Sequence, residues 1–104
     1  MNIPQVFEWD ENKRQANIEK HGIDFADIRP ILSNPIIEFI DNRKDYGEIR
    51  TILLGQIEGR VLYVVYTQRG SIKRIISARK ANKREQRKYY ESNSPRMGSN
   101  EGSN

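Results

Sequence analysis

The residues best suited to chemistry are cations gathered near the carboxyl end of the sequence. Within ten residues, Glu85 is the one acid among six bases. The six bases are Arg79, Lys80, Lys83, Arg84, Arg87 and Lys88. Like charges four residues apart on a helix repel each other and destabilise it by about 0.2–0.5 kcal/mol per pair. Because the sequence carries several such pairs, we expect an external anion to relieve the repulsion.

His21 is the histidine of the chain, and its ordinary pKa lies nearest neutrality, so it is a candidate general acid or base. It follows Lys13 by eight residues on a predicted helix and has Lys20 beside it, so these polar side chains share one side of the helix. The alternative interpretation is that His21 only complements the helix dipole at the carboxyl end. Its position fits both interpretations.

Arginines in and near the predicted strands form a second candidate set. Arg50 and Arg74 lie in strands, where a guanidinium group must stay hydrated or paired, so each binds an anion or forms an ion pair with an acid of the N-terminal half. Arg79 and Lys80 are expected at the junction between the last strand and the basic helix, where side chains can reach a ligand. The planar guanidinium group binds two phosphate oxygens at once and stays charged.

Two tyrosines of the segment RVLYVVYT are further candidates. Alternation along a strand places Tyr63 and Tyr66 on opposite faces of the predicted sheet. Either ring could stack on a base or position a phosphate. The alternative is a core aromatic residue whose hydroxyl group is hydrogen-bonded.

Charge and composition narrow the class of protein. The chain has 104 residues and a net charge of +4. Residues 1–48 hold ten acids and six bases, or −4, and residues 49–104 hold four acids and twelve bases, or +8. Such polarity indicates a nucleic acid, or an acidic protein that mimics one, as the partner.

Other classes are disfavoured. Without cysteine there is neither a disulfide framework nor a thiolate metal site, and one histidine argues against a zinc centre. We therefore expect no metal and no cofactor. The apolar runs are too short for a signal peptide or a membrane span, so we expect a cytoplasmic protein.

The N-terminal half predicts two helices. Asp10 is a candidate N-cap for a helix over 11–21, and Gly22 is suited to the left-handed conformation that ends one. Asp24 then begins a second helix over 25–33, with Phe25, Ile28 and Leu32 on one side, and Pro30 should kink or shorten it.

The rest of the chain predicts a sheet and a terminal helix. Strands are expected over 36–40, 49–56, 60–67 and 72–78, joined by turns short enough for antiparallel pairing. Asn82 and Glu85 have the spacing of a capping box at the start of the basic helix. The predicted fold is α+β in one domain over 1–91, with two N-terminal helices, a four-stranded antiparallel sheet and a basic C-terminal helix. Residues 92–104 are expected to be disordered.

Four segments, read in order and with their spacing, resemble the BrnT toxins of bacterial type II toxin–antitoxin systems. They are FEWD, KHG at 20–22, VVYTQRG at 64–70 and RIISARKANKRE at 74–85, with Lys13 and Asn17 between the first two. The resemblance covers about residues 6–91. It implies a fold similar to the RelE ribonucleases, translation arrest through RNA cleavage, and neutralisation by a BrnA-type antitoxin. It also implies that the complex represses its own operon, with the antitoxin contacting the DNA.

The resemblance also implies site residues. His21, Arg79 and Lys80 match family positions, and Arg50 stands in an EIR segment where members commonly have ER. Metal-independent RNA cleavage through the 2′-hydroxyl needs proton transfer and cations on the phosphate. The candidate catalytic residues are therefore His21, Arg50, Arg79 and Lys80. The candidate RNA-binding residues are Lys13, Lys20, Arg74, Lys83, Arg84 and Arg87.

Two other functions fit the same basic helix. One is a non-catalytic domain that binds RNA or DNA, and the other is a protein-interaction module that docks an acidic partner. A simple binder does not need a histidine and two arginines to converge. The ribonuclease hypothesis therefore predicts that His21, Arg50 and Arg79 share one cleft.

Overall fold

The computed structural model describes residues 6–93 as an α+β fold. Its α-helices are α1 (Glu11–His21) and α2 (Lys83–Asn93), and two 3₁₀-helices span Phe25–Asp27 and Arg29–Ser33. The strands are β1 (Phe7–Trp9), β2 (Ile36–Ile40), β3 (Thr51–Ile57), β4 (Arg60–Arg69) and β5 (Ile72–Lys80). None of the helices in residues 6–93 is long and apolar enough to cross a membrane.

Helix α1 begins and ends where the sequence predicts. The Asp10 carboxylate accepts a hydrogen bond from the Lys13 amide at 3.0 Å and so satisfies one of the amides of the first turn. Gly22 adopts a φ of 70°, and its amide donates to the Ile18 carbonyl. These caps place His21 in the last turn of α1.

The second predicted N-terminal helix is wrong, because the chain forms the two 3₁₀-helices instead. Pro30 lies at the start of the second one, where its missing amide hydrogen costs nothing. The buried side chains follow the three-residue period of a 3₁₀-helix: Phe25, Ile28 and Ile31 are almost completely buried. Leu32, which the α-helical period would bury, is 38% exposed.

The predicted four-stranded antiparallel sheet is also wrong. The sheet has five strands in the order β1-β5-β4-β3-β2, and β1 pairs with β5 in parallel. The other neighbouring pairs are antiparallel, as predicted. The segment at β1 looks strand-like in the sequence, but three residues carry too little pattern to show which strand they join.

The last strand is longer than predicted and continues beyond Ala78. Arg79 pairs across the sheet with Tyr63, and Lys80 pairs with Leu62. Both cations therefore lie within the sheet and not at a junction after it. As a result, the side chain of Arg79 is fixed in the same row as that of Tyr63.

Helix α2 is also longer than predicted. It ends at Asn93, so the first two residues of the predicted disordered tail, Ser92 and Asn93, are helical. The rest of that tail, residues 94–104, lies outside the described residues.

The sheet separates two apolar cores. The α1 face of the sheet carries Leu53, Leu62, Val64, Tyr66 and Ile75, and it is covered by α1 and the 3₁₀-helices. The α2 face carries Ile52, Leu54, Val61, Tyr63 and Val65. Helix α2 packs over β2, β3 and β4 on this face and buries Tyr89 there. The α2 face therefore has a helix-covered part and a part beyond the helix.

Helix α1 is held to the edge of the sheet by the buried Asn17. Its side-chain amide donates to the carbonyls of Ala78 and Ile23, each at 2.9 Å, and its oxygen accepts from the Ala78 amide at 3.1 Å. Strand β1 pairs with β5 only along Lys73–Ile75, so Asn17 supplies the hydrogen bonds that a longer β1 would give to Ala78. This contact fixes α1 one turn before His21.

Candidate active site

A cleft of about 310 Å³ lies on the α2 face, between the sheet and α2. Its lining residues are Phe39, Ile40, Asp41, Asn42, Arg43, Ile52, Tyr63, Arg84, Glu85 and Lys88. The lining combines cations, carboxylates and a phenol, which are groups that can bind a phosphate ester and transfer protons to or from it.

Arg79 is held at the margin of this cleft by two lining residues. Its guanidinium carbon lies 3.8 Å from the centroid of the Tyr63 ring, because the two residues are paired across β4 and β5. Its two terminal nitrogens donate to the Glu85 carboxylate, each at 2.9 Å. A stacked and doubly hydrogen-bonded guanidinium group is fixed in one orientation.

Glu85 joins Arg79 to the first turn of α2. Its carboxylate accepts from the Asn82 amide at 2.9 Å, and its own amide donates to the Asn82 side chain at 2.8 Å, which confirms the predicted capping box. Burial alone would raise the pKa of the Glu85 carboxyl. Hydrogen bonds from Arg79 and from the Asn82 amide outweigh burial and lower that pKa. Glu85 is therefore ionised at neutral pH, and its lowered pKa makes it a weaker base than an ordinary carboxylate.

Tyr63 provides the complementary proton donor. Burial raises the pKa of its phenol, although the positive charges of Arg43 and Arg79 oppose the shift. The phenol is therefore protonated at neutral pH. Its hydroxyl group makes no hydrogen bond to any other residue in the 6–93 range, so it can donate to a bound ligand.

A second arginine–carboxylate pair lies across the cleft. Two nitrogens of Arg43 donate to the Asp41 carboxylate at 2.8 Å each, and the Tyr46 hydroxyl donates to it at 3.0 Å. These hydrogen bonds from Arg43 lower the pKa of Asp41 well below its usual range. The Asp41 side chain is 1% exposed and that of Arg43 is 66% exposed, so the buried acid fixes a cation that faces solvent.

Another cleft, of about 220 Å³, lies on the α1 face. Its charged lining residues are Asp24, Asp27, Glu58 and Arg60. Three carboxylates against one arginine repel a polyanion, so this cleft is the less suitable phosphate site. Within residues 6–93, no three His, Asp or Glu side chains are grouped as metal ligands would be.

Helix α2 presents its cations on two sides. Arg84 and Lys88 line the cleft. Tyr89 faces the sheet, and at 100° per residue Lys83 and Arg87 lie on the flank of the helix opposite to that of Arg84 and Lys88. All four cations are exposed. Of the cations predicted to bind RNA on this helix, Arg84 is thus at the cleft, and Lys83 and Arg87 are not.

His21 lies outside the lining of the cleft but within electrostatic reach of Arg79. Burial lowers the pKa of its imidazole, and the positive charges of Lys20 and Arg79 lower it further. The imidazole is therefore neutral at pH 7, which is the form that accepts a proton. Helix α1, fixed through Asn17, brings His21 towards the Arg79 end of β5.

Arg50 and Arg74 lie on the α2 face and do not line the cleft, although Arg50 adjoins it: the amide of the lining residue Asp41 donates to the Arg50 carbonyl at 2.8 Å. Leu54 pairs with Tyr63, and Arg50 comes four residues before Leu54. Arg50 therefore lies about 13 Å along the strand direction from Tyr63. Arg74 forms an ion pair with Glu8 at 3.0 Å, which is one of the two alternatives that the sequence allowed for this residue. None of Arg50, Arg79 and His21 is among the lining residues of this cleft, so the expected common cleft does not form at the α2 face. Arg79 contacts the lining residues Tyr63 and Glu85 at the margin of the cleft.

The other predicted cations are exposed. Lys80 lies in β5 opposite Leu62, and Lys13 and Lys20 project from α1. They could contact a long polyanion, but they do not line the cleft.

A comparison with protein families decides the class of this protein. The family described as "Ribonuclease toxin, BrnT, of type II toxin-antitoxin system" matches residues 9–85, which is more than two thirds of the chain. The chain belongs to the BrnT family. This confirms the resemblance seen in the sequence: the protein is a ribonuclease toxin, with an RNA substrate and an antitoxin partner. Among curated proteins, none matches the chain.

The BrnT match includes the residues that build the cleft margin. Tyr63, Arg79 and Glu85 lie inside the matched range, as do Asp41 and Arg43. The match ends in the first turn of α2 and so leaves out the rest of that helix.

Reasoning from the sequence missed the carboxylates that orient the cations. Asp41 continues the alternation of Ile37 and Phe39 onto the α2 face, and this pattern could have placed it beside Tyr63. Glu85 was recognised as a helix cap, but its bond to Arg79 depends on a turn whose geometry no sequence pattern describes.

Proposed function

We propose that this BrnT-family toxin cleaves RNA at the margin of the α2-face cleft, with the scissile phosphate beside Arg79. The observation that carries the proposal is the fixed guanidinium group of Arg79, stacked on Tyr63 and bonded to Glu85 beside a cleft rich in cations. Negative charge grows on the phosphate oxygens in the transition state of cleavage. A guanidinium group that is already oriented stabilises this charge without reorganising during the reaction.

The proposed reaction needs no metal, because the nucleophile belongs to the substrate. The 2′-hydroxyl oxygen attacks the adjacent phosphorus, and the bond from phosphorus to the 5′-oxygen breaks. The products are a 2′,3′-cyclic phosphate and a free 5′-hydroxyl. A base takes the proton of the 2′-hydroxyl, and an acid gives a proton to the leaving 5′-oxygen.

Four side chains carry the proposed proton transfers. His21, with its lowered pKa, and the ionised Glu85 are the two candidate bases. Tyr63, protonated and without a hydrogen-bond partner in residues 6–93, is the proposed acid, and Lys80 remains a candidate from the sequence. The pH dependence of the cleavage rate distinguishes the two bases. If His21 is the base, the rate rises with pH as the imidazole loses its proton, below pH 6.5, and Glu85→Gln shows the same rise.

The test is cleavage of a defined RNA by purified protein in EDTA. Wild type should yield cyclic phosphate ends, and Arg79→Ala should lower the rate at least about 100-fold because it removes a fixed transition-state contact. Arg29→Ala, an exposed charge on the second 3₁₀-helix, is the matched control and should cleave like wild type.

Three outcomes would contradict the proposal in different ways. Binding without cleavage by wild type would favour the non-catalytic nucleic-acid-binding alternative. Loss of cleavage in EDTA would contradict a metal-independent reaction. If Arg79→Ala melts like wild type and cleaves RNA as fast, Arg79 does not belong to the active site.

The antitoxin is proposed to be of the BrnA type, as the resemblance implies. It would neutralise the toxin by covering the cationic cleft, and it would hold the DNA when the complex represses its operon. Support would come from a neighbouring gene that encodes an acidic toxin-binding segment and a DNA-binding half. The accompanying proposals are translation arrest in the cytoplasm and one RelE-like domain, which the sequence predicts over 1–91 and to which we add Ser92 and Asn93 because they belong to α2.

A further inference from the structure

A row of polar side chains crosses the α2 face beyond the cleft. Thr67 of β4 is paired with Arg74 of β5. The register of β3 and β4 pairs Thr51 with Tyr66, so one step further places Arg50 opposite Thr67. Directly opposed residues of neighbouring strands share a face and lie about 5 Å apart. Thr67 is therefore flanked by one arginine on each side.

This row contains polar atoms that lack hydrogen-bond partners. Among the side chains of residues 6–93, Arg50 Nε and Thr67 Oγ1 are the buried atoms without a partner. Thr67 as a whole is 4% exposed. An unpaired buried donor or acceptor is costly, so proteins keep few of them, and they concentrate at functional sites. That both occur in one row makes this row a candidate ligand site.

The charges around the row favour an anion. Arg50 stacks on Tyr46 with its guanidinium carbon 4.1 Å from the ring centroid, and its Nε is 3.6 Å from Glu48, beyond hydrogen-bond distance. Arg69 is 3.9 Å from the same carboxylate. Arg74 gives one nitrogen to Glu8. Asp41 of the cleft lies opposite Arg50 on the other side and is paired with Arg43. Four arginines therefore stand against three acids, so the row keeps a positive charge and unused guanidinium donors.

We infer that Arg50, Thr67 and Arg74 form a second phosphate-binding subsite, which holds the RNA backbone on one side of the scissile bond. The subsite rests on the proposed function, since it lies on the same face as Arg79 and Tyr63. Thr67 is four residues from Tyr63 along β4, or about 13 Å, so a continuous strand of RNA reaches both. Arg50 swings from Glu48 to the phosphate, and this movement opens Thr67 Oγ1 to the same group.

Thr67→Val gives the sharpest test, because it removes the hydroxyl group and keeps the side-chain shape. The free protein should melt a few degrees higher, since an unpaired buried group is lost. Affinity for 2′-O-methyl RNA, which lacks the nucleophile and cannot be cleaved by this route, should fall about tenfold. Thr51→Val, the same change on the α1 face, should leave RNA affinity unchanged.

Arg50→Ala and Arg74→Ala test the charges of the subsite. Each should weaken binding of 2′-O-methyl RNA and lower the slope of log affinity against log salt by about 0.7, the value for one phosphate contact of a single strand. Arg60→Ala is the matched control, because Arg60 is exposed at the start of β4 and belongs to the α1-face cleft.

The results separate this inference from the proposed function. If Thr67→Val melts lower than wild type, or if the three variants bind RNA as tightly as Arg60→Ala does, the subsite is wrong even though wild type cleaves RNA. If the variants weaken binding and wild type does not cleave RNA, the subsite stands and the proposed function fails. Loss of dinucleotide cleavage in Arg50→Ala would instead give Arg50 the catalytic role predicted from sequence.

Discussion

At the scale of single residues, Asn17 takes the place of a missing piece of strand. Its side chain makes three hydrogen bonds, two of them to Ala78 on the open edge of β5. A carboxamide can do this because it carries a donor and an acceptor side by side, as a peptide group does. The position of α1, and with it that of His21, therefore depends on one buried amide.

Asn17→Ala should destabilise the fold by about 2–4 kcal/mol, because it leaves the amide and carbonyl of Ala78 without partners. Urea unfolding measures this difference. Asn12→Ala, an exposed asparagine on the same helix, is the control and should change the free energy of unfolding by less than about 0.5 kcal/mol. If Asn17→Ala also changed the free energy of unfolding by less than about 0.5 kcal/mol, other contacts would hold α1.

Asp41 should make the free energy of unfolding depend on pH in the acidic range. Because hydrogen bonds from Arg43 lower its pKa in the folded state, its stabilising contribution is complete above the unfolded pKa of about 3.9 and is lost as the pH falls below it. The free energy of unfolding of wild type should therefore decline between pH 5 and pH 2.5 by about 1–2 kcal/mol more than that of Asp41→Asn. Arg43→Gln should flatten the curve similarly. Parallel curves for the three proteins would contradict this account.

Residue types are visible in a sequence, but the partners that tune them often are not. Arg79 could be picked out because it stands among cations at the end of a strand, and the family match includes it. Its partner Glu85 is close in sequence, but the bond requires the two-residue turn between β5 and α2. The unpaired Thr67 could not be predicted, because hydrogen-bond satisfaction depends on every neighbour in space.

At the scale of elements, local chemistry predicted local structure. The caps of α1 and the capping box of α2 are hydrogen bonds between residues close in sequence, and both formed as predicted. The parallel partner of β1 is more than sixty residues away, and no local pattern specifies it. The 3₁₀-helices were missed because apolar residues three apart fit both helical periods over so short a segment.

The two sides of α2 should differ in their effect on RNA. Arg84→Gln with Lys88→Gln removes two charges at the cleft, and Lys83→Gln with Arg87→Gln removes two on the opposite flank of the helix. Each pair also removes one repulsion between residues four apart. Lys88 lies over the Phe39 ring at 3.9 Å from its centroid, so the protein that loses Lys88 should be the less stable of the two.

Arg84→Gln with Lys88→Gln should weaken RNA binding about fivefold more than Lys83→Gln with Arg87→Gln does. The reason is that short-range contacts, and not net charge, hold the RNA. Fluorescence anisotropy with 2′-O-methyl RNA measures the difference. Equal losses would indicate that α2 acts only through its overall charge.

At the scale of the whole molecule, the sheet divides the charges as well as the cores. The charged residues that line the cleft on the α1 face are three carboxylates and one arginine, whereas cations outnumber acids in the cleft and in the arginine row on the α2 face. The sequence shows this polarity only as a difference between its halves. The fold converts part of it into a difference between two clefts, one on each side of the sheet.

RNA affinity should therefore depend steeply on salt. Contacts to three phosphates, one at Arg79, one at the cleft and one at the arginine row, predict a slope of log affinity against log salt of about −2. Titration of 2′-O-methyl RNA across a series of KCl concentrations measures the slope. An affinity that does not change with salt would mean that stacking, rather than charge, dominates binding.

The parallel pairing of β1 and β5 also orders events on the ribosome. Phe7 lies beside Lys73, so the first strand has no place in the sheet until nearly the whole domain has been synthesised. Glu85, which orients Arg79, emerges later still. The contacts that hold β1 in the sheet and orient Arg79 can therefore form only after residues 73–85 have left the ribosome, so a shorter nascent chain does not fix Arg79 in place.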